Sequence, residues 1–172
     1  MRLTIALAAV AASLVTASPA FAQAASANAL AKGVVVQPLT LAKVQDLDFG
    51  TVVGSAVAGN VVINADTGSR TVAGGVTGVP SYPGGRGLFQ GVGTSGQTVQ
   101  LSLSSPALLI SQSNPLDVIT VNSMVLDSGN STTRVIGPTG LFNVGVGGDF
   151  AIAANQPAAL YQATFTLTAD YQ

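Results

Sequence analysis

The sequence predicts an all-β fold, and specifically an immunoglobulin-like antiparallel β-sandwich. Several stretches alternate apolar and polar side chains with a period of two, which is typical of strands that bury one face. Clusters of Gly, Pro, Asn, Asp and Ser separate these stretches about every ten residues, as in sandwiches and barrels. Hydrophobic residues make up 48% of the chain, which is enough to form a core and argues against disorder.

The N-terminus has the features of a signal peptide. Arg2 precedes an apolar run from Leu3 to Val15, and Ala20-Phe21-Ala22 supplies the small residues of a cleavage site before Gln23. The apolar run is too short to span a bilayer comfortably. We therefore divide the chain into a signal peptide (1–22), a flexible N-terminal extension of small and polar residues (23–32) and a single β-sandwich domain (33–172).

Four strands are predicted in the first half of the domain. The first contains a run of valines and is interrupted by Pro38, which predicts an edge strand, a bulge or a crossover because proline cannot donate to a neighbouring strand. The next three are rich in Val, Ile and Thr and are separated by turn residues. The four ranges are 33–41, 47–53, 59–66 and 69–76.

Four more strands are predicted in the second half. Val99, Leu101 and Leu103 alternate with polar residues, and the same alternation recurs over residues 160–171. The four ranges are 98–104, 118–127, 140–152 and 160–171. The segments 76–91 and 105–115 contain several turn-forming residues. We predict a flexible hairpin or an exposed loop over the first and a loop that connects two strands over the second.

The residue inventory argues against an enzyme. Histidine, cysteine and glutamate are absent, which removes the usual general base, thiol nucleophile and soft metal ligands. Asp46 and Asp48 lie two residues apart and can be interpreted as a carboxylate pair or a calcium site. Calcium requires six or more oxygen ligands, so we expect instead that one of them caps the turn before Phe49-Gly50. We predict no cofactor and no metal.

The charges exclude further classes of partner. The chain has six basic and seven acidic residues and no basic cluster, so it lacks the patch that nucleic acids or anionic membranes require.

The glycines of 84–91 do not lead into a helical pattern, which argues against a phosphate-binding loop. No stretch after the signal peptide is long and apolar enough to span a membrane.

Three stretches resemble a known family. They are DLDFGTVV (46–53), GNVVINADTGSR (59–70) and YQATFTLTADYQ (161–172). They resemble a bacterial family of secreted proteins, domain of unknown function forty-four-zero-two, over about residues 30–172. That family is similar to spore coat protein U-like subunits of archaic chaperone–usher pili. The resemblance implies an incomplete sandwich, with a groove that the N-terminal extension of a neighbouring subunit fills as a donor strand.

The resemblance also implies which residues assemble the fibre. The donor segment would present Leu30, Val34, Val35 and Val36. The C-terminal groove strand would present Tyr161, Phe165, Leu167, Ala169 and Tyr171. Implied partners are copies of the chain or sister subunits, a periplasmic chaperone and an outer-membrane usher, with a route through the periplasm to the surface of a Gram-negative bacterium. The sequence leaves one alternative open, a self-contained envelope or secreted β-sandwich that binds a protein or a glycan.

Overall fold

A computed structural model describes residues 24–172, and it confirms the predicted all-β fold with antiparallel sheets in a sandwich-like arrangement. Strands account for 48% of the described residues and helix for 3%. The predicted signal peptide and the cleavage site before Gln23 lie outside the described residues. Residues 24–34 have exposed side chains and no regular structure, and residues 35–172 form a separate compact unit. Across 24–172, the one helical turn is far too short to cross a bilayer.

The described part of the chain contains thirteen strands and one helical turn. They are β1 (Thr40–Gln45), β2 (Val52–Val53), β3 (Gly59–Ile63), β4 (Arg70–Gly74), β5 (Thr77–Gly78), β6 (Gly87–Val92), β7 (Thr98–Ser104), β8 (Leu108–Ser111), β9 (Val118–Leu126), α1 (Asp127–Asn130), β10 (Thr133–Val135), β11 (Leu141–Ile152), β12 (Tyr161–Gln162) and β13 (Thr166–Tyr171).

The largest sheet is organised around β11. Its strand order is β1–β6–β11–β9–β8–β12, with β3 also beside β11 and β4 beside β3. β11 is long enough to pair with β6 through residues 141–146 and with β3 through residues 148–152. A second sheet has the order β10–β7–β13, and β2 and β5 form a small two-stranded ribbon. All pairings are antiparallel, which a chain of short strands and tight turns favours.

The core consists of two clusters of buried side chains. One cluster combines β7 and β13 of the three-stranded sheet with β11 of the large sheet, so it lies between the two sheets. The other combines Val61, Ile63, Phe150 and Ile152 with residues of β8, β9 and β12. Apolar residues at alternate positions of β7, β11 and β13 point inward, as the period of two predicts.

Five predicted strands are confirmed with small changes at their ends. β3, β4, β7, β9 and β11 fall within the predicted ranges 59–66, 69–76, 98–104, 118–127 and 140–152. These ranges combine a clear apolar alternation with turn residues on both sides.

The prediction of a flexible hairpin or exposed loop over 76–91 is wrong, because residues 87–92 form β6, which pairs with β1 and β11 inside the large sheet. The alternation is hidden there because two buried positions are Gly87 and Gly91. A Cβ on Gly91 would lie 2.0 Å from the ring of Phe142, so the aromatic ring occupies the space of the missing side chain. Glycine therefore allows a close approach of strand and ring at this point.

The start of the domain also differs from the prediction. β1 begins at Thr40, and residues 33–39 are not in a strand. Pro38 has no N–H to donate, and the N–H of Gln37 is bonded to the hydroxyl of Thr94. Within the predicted strand 47–53 only Val52–Val53 pairs as a strand.

Two further differences concern short strands. β8 lies within the segment 105–115 that we predicted as a loop, and β10 was not predicted. The predicted strand 160–171 is divided into β12 and β13, with residues 163–165 unpaired between them. The apolar pattern is continuous across this break because Phe165 also faces the interior.

Candidate functional site

A cleft of about 910 Å³ lies between the two stretches 46–49 and 160–167. Lys43 of β1 lines it on one side, and Thr166 and Leu167 of β13 line it on the other. Additional walls come from Phe89, Pro106, Leu109, Gln112, Met124 and Phe150. The cleft is therefore bordered by one strand from each of the two larger sheets.

Both bordering strands have an unpaired edge. Within residues 24–172, β1 pairs with β6 alone and β13 pairs with β7 alone. An unpaired edge presents a row of backbone N–H and C=O groups that can bind another strand. The cleft thus combines two such edges with a cavity between them.

The interior of the cleft is rich in aromatic rings. The rings of Phe49 and Phe150 lie 5.1 Å apart with an interplanar angle of 32°. The rings of Phe89 and Phe165 lie 5.9 Å apart at 70°, an edge-to-face arrangement. Tyr161 is buried, and its hydroxyl donates to the carbonyl of Pro157 at 2.7 Å. The walls therefore offer aromatic surface that can bury part of an occupant.

Asp48 shapes the turn that carries Phe49 into the cleft. One carboxylate oxygen of Asp48 accepts the N–H of Gly50 at 2.7 Å, the turn-capping role expected from the sequence. The backbones of Asp48 and Gly85 exchange hydrogen bonds of 2.9 and 2.7 Å. Gly50 has a φ of +72°, which a residue with a Cβ adopts only with strain. The sequence Asp-Phe-Gly thus forms a turn that the Asp48 carboxylate and the backbone of Gly50 define.

Arg70 fastens this turn to the rest of the domain. Its Nη1 donates to the carbonyls of Phe49, Thr51 and Tyr82 at 3.3, 2.9 and 3.1 Å. Its Nη2 donates to the carbonyl of Val79 at 2.9 Å. A planar guanidinium with five donors can bind several carbonyls at once, which lysine cannot do with the same geometry. Arg70 therefore joins two loops behind the wall of the cleft.

Three of the five predicted C-terminal groove residues line the cleft, namely Tyr161, Phe165 and Leu167. Ala169 and Tyr171 do not line it and pack instead against the buried cluster between the sheets. In the predicted donor segment, Leu30, Val34 and Val35 are 79%, 81% and 97% exposed, and Val36 is 38% exposed. Sequence reasoning missed Phe49, Phe89, Phe150 and Arg70.

The two aspartates of the rim already have partners. Asp46 is exposed and forms an ion pair with Lys43, with Nζ and Oδ1 2.6 Å apart. Asp48 caps the turn described above. Among residues 24–172, no three acidic side chains are grouped in a way that would hold a metal ion. The lining of the cleft thus combines these polar groups with aromatic and aliphatic side chains.

The fold and the cleft define a class, a β-sandwich with an aromatic-lined cleft between two strands that each have an unpaired edge. The chain belongs to the family described as Domain of unknown function (DUF4402), whose model matches residues 39–171. The resemblance to this domain family is thereby confirmed, whereas no match supports the further resemblance to spore coat protein U-like subunits. No curated protein and no solved structure matches the chain. The stretches 46–49 and 160–167, which face each other across the cleft, both lie within the matched range.

Proposed function

We propose that this protein is an exported structural subunit of a bacterial surface fibre. In this proposal, the cleft of one copy binds the N-terminal extension of another copy as an added strand. The observation that carries the proposal is the aromatic-lined cleft between β1 and β13, each of which has an unpaired edge.

A β-strand is the occupant that suits this cleft best. Its backbone would form hydrogen bonds with the unpaired edges of β1 and β13. Its side chains on one face would enter the apolar interior, while those on the other face would point to solvent. A compact ligand would fill the cavity but would leave the two strand edges unpaired.

The segment 24–36 supplies a suitable strand. Leu30, Val34 and Val35 are largely exposed, which leaves apolar side chains free to bind elsewhere. Lys32 is its single charged residue, and most of the others are small. A low-charge segment of this kind loses little hydration energy when it enters an apolar cleft.

The composition of the whole chain also supports assembly. Charged residues account for 8% of the sequence, fewer than a soluble single domain usually carries. Subunits packed in a fibre cover part of their surface and need less charge. Export would follow from the signal peptide, and a periplasmic chaperone and an outer-membrane usher would protect the cleft and direct assembly.

A second candidate is a self-contained envelope or secreted sandwich that binds a protein or glycan in the same cleft. The observation that favours it is the rim, where Lys43, Asp46 and Gln112 place polar groups beside aromatic walls. Such a combination is typical of small-ligand pockets.

Cysteine cross-linking tests the fibre proposal, because the natural chain contains no cysteine. One population carries Val34→Cys in the extension, and another carries Leu160→Cys, a cleft residue that is 62% exposed. We expect mixed disulfide-linked dimers under mild oxidation.

Leu116→Cys is the matched control, since Leu116 is 86% exposed and does not line the cleft. Equal cross-linking at positions 116 and 160 would show random collision. Absence of cross-links to position 160 would favour the self-contained sandwich.

A further inference from the structure

A hydrogen-bonded cluster of three residues, which we call the Tyr171 clasp, joins the start of the domain to β13. The hydroxyl of Tyr171 donates to the carbonyl of Gln37 and accepts the N–H of Thr94, both at 2.8 Å. The N–H of Gln37 donates to the hydroxyl of Thr94 at 2.7 Å. A Cβ on Gly93 would lie 2.5 Å from the Tyr171 hydroxyl, so glycine makes room for this contact.

The clasp connects the two strands that border the cleft. Gln37 lies three residues before β1, and Tyr171 is the last residue of β13. At the opposite ends of the same strands, Lys43 and Thr166 line the cavity. The cleft is therefore open where β13 begins and bridged by hydrogen bonds where β13 ends.

Side chains close the space beside the clasp. Leu39, Leu41, Ala169 and Tyr171 pack against the same buried cluster, and none of them lines the cavity. A strand that enters at the open end therefore finds apolar space beside Leu167. Further along β13, packed side chains fill the space and the hydrogen bonds of the clasp join the two strands.

We propose that the Tyr171 clasp is a stop that limits how many residues of a second copy's extension the cleft accepts. This inference rests on the proposed strand binding. The limit would give every junction in a fibre the same register, because pairing ends at a fixed point. Without such a stop, a strand of small residues has few large side chains to define its register.

Peptide binding measures the stop directly. The protein is the full chain with Val34→Asp and Val35→Asp, one substitution on each face of the extension, so that its own segment does not compete. The probes are a core peptide of residues 30–36 and two longer peptides, 24–36 and 30–39, which lengthen the core at either end. Calorimetry or fluorescence anisotropy gives the dissociation constants.

With the clasp intact, we expect each longer peptide to bind within about twofold of the core peptide. Thr94→Val and Tyr171→Phe each remove hydrogen bonds of the clasp. In both variants, one longer peptide should bind about tenfold more tightly than the core peptide, because it forms additional backbone hydrogen bonds. Tyr82→Phe, at an exposed tyrosine outside the clasp, is the control. This variant should bind the longer peptides within about twofold of the core peptide.

The outcomes separate this inference from the function it depends on. If the intact protein binds none of the peptides, the proposed function fails. If the intact protein binds the core peptide but binds a longer peptide about tenfold more tightly, the stop is refuted. The stop is also refuted if neither clasp variant gains from a longer peptide.

Discussion

At the scale of single residues, Arg70 explains how distant parts of the sequence shape one wall of the cleft. It begins β4, yet its guanidinium holds the carbonyl groups of two loops, 49–51 and 79–82. Phe49, one of the bonded residues, carries its ring into the cleft against Phe150. The orientation of an aromatic wall thus depends on an arginine that does not line the cavity.

We predict that Arg70→Lys weakens both the fold and binding at the cleft. Lysine cannot replace four carbonyl contacts, and hydrogen bonds from a charged donor contribute about 1.5–3 kcal/mol each. The loss should lower the free energy of unfolding by about 2 kcal/mol or more. It should also weaken binding of the 30–36 peptide about tenfold, measured by urea denaturation and by calorimetry.

Arg134→Lys is the control for this prediction. Arg134 forms an ion pair with Asp127 and also donates to the carbonyls of Ser131 and Thr133, and none of these residues lines the cleft. This variant should lose stability without losing peptide affinity. A comparable loss of affinity in both variants would show that Arg70 acts through general stability alone.

At the scale of strands, β6 shows how a glycine-rich sequence can form a central strand. Its neighbours are β1 and β11, and its buried Gly91 receives the ring of Phe142 from the adjacent strand β11. The side chain that fills the space therefore comes from another element. Aromatic rings often cover a strand glycine in this way, and both residues are then constrained together.

We predict that Gly91→Ala destabilises the domain by about 1–3 kcal/mol, because the added methyl group overlaps the Phe142 ring. Gly54→Ala is the control, since its nearest neighbour would be a side-chain carbon of Ile152 at an ordinary 3.8 Å. The control should stay within about 0.5 kcal/mol of the natural chain. Equal urea midpoints for the two variants would contradict the packing described here.

Strand positions could be predicted from sequence where the strand supplies its own apolar alternation. β7 and β11 were predicted closely because their inward residues are large, as in Val99 and Leu101. β6 was missed because its pattern is completed by Phe142, which lies 51 positions beyond Gly91 in the chain. Residues 33–39 were assigned to a strand on their valines, but Pro38 has no N–H to donate and the N–H of Gln37 is bonded to the Thr94 side chain.

The site was only partly predictable for the same physical reason. Tyr161, Phe165 and Leu167 share an apolar pattern near the end of the chain, and all three line the cleft. The opposite wall depends on contacts between residues far apart in sequence, such as Arg70 with Phe49. Periodicity does not report such contacts. The family resemblance pointed to 46–53, but without a role for Phe49.

At the scale of the whole molecule, the cleft connects the fold to the proposed assembly. The two larger sheets share a core between them, and each contributes one open strand edge to the cleft. A strand that fills the cleft would therefore join the sheets and bury aromatic surface. Because backbone bonds and side-chain burial are then lost together, assembled subunits should resist mild denaturants.

The most direct test of this account is size-exclusion chromatography of the predicted mature form, residues 23–172, beside a chain of residues 37–172 that lacks the extension but keeps the clasp. We predict that the longer chain forms oligomers that persist in mild denaturant, while the shorter chain elutes as a monomer with a lower melting temperature. Stable monomers with identical melting temperatures in both samples would contradict assembly by strand exchange and favour the self-contained sandwich.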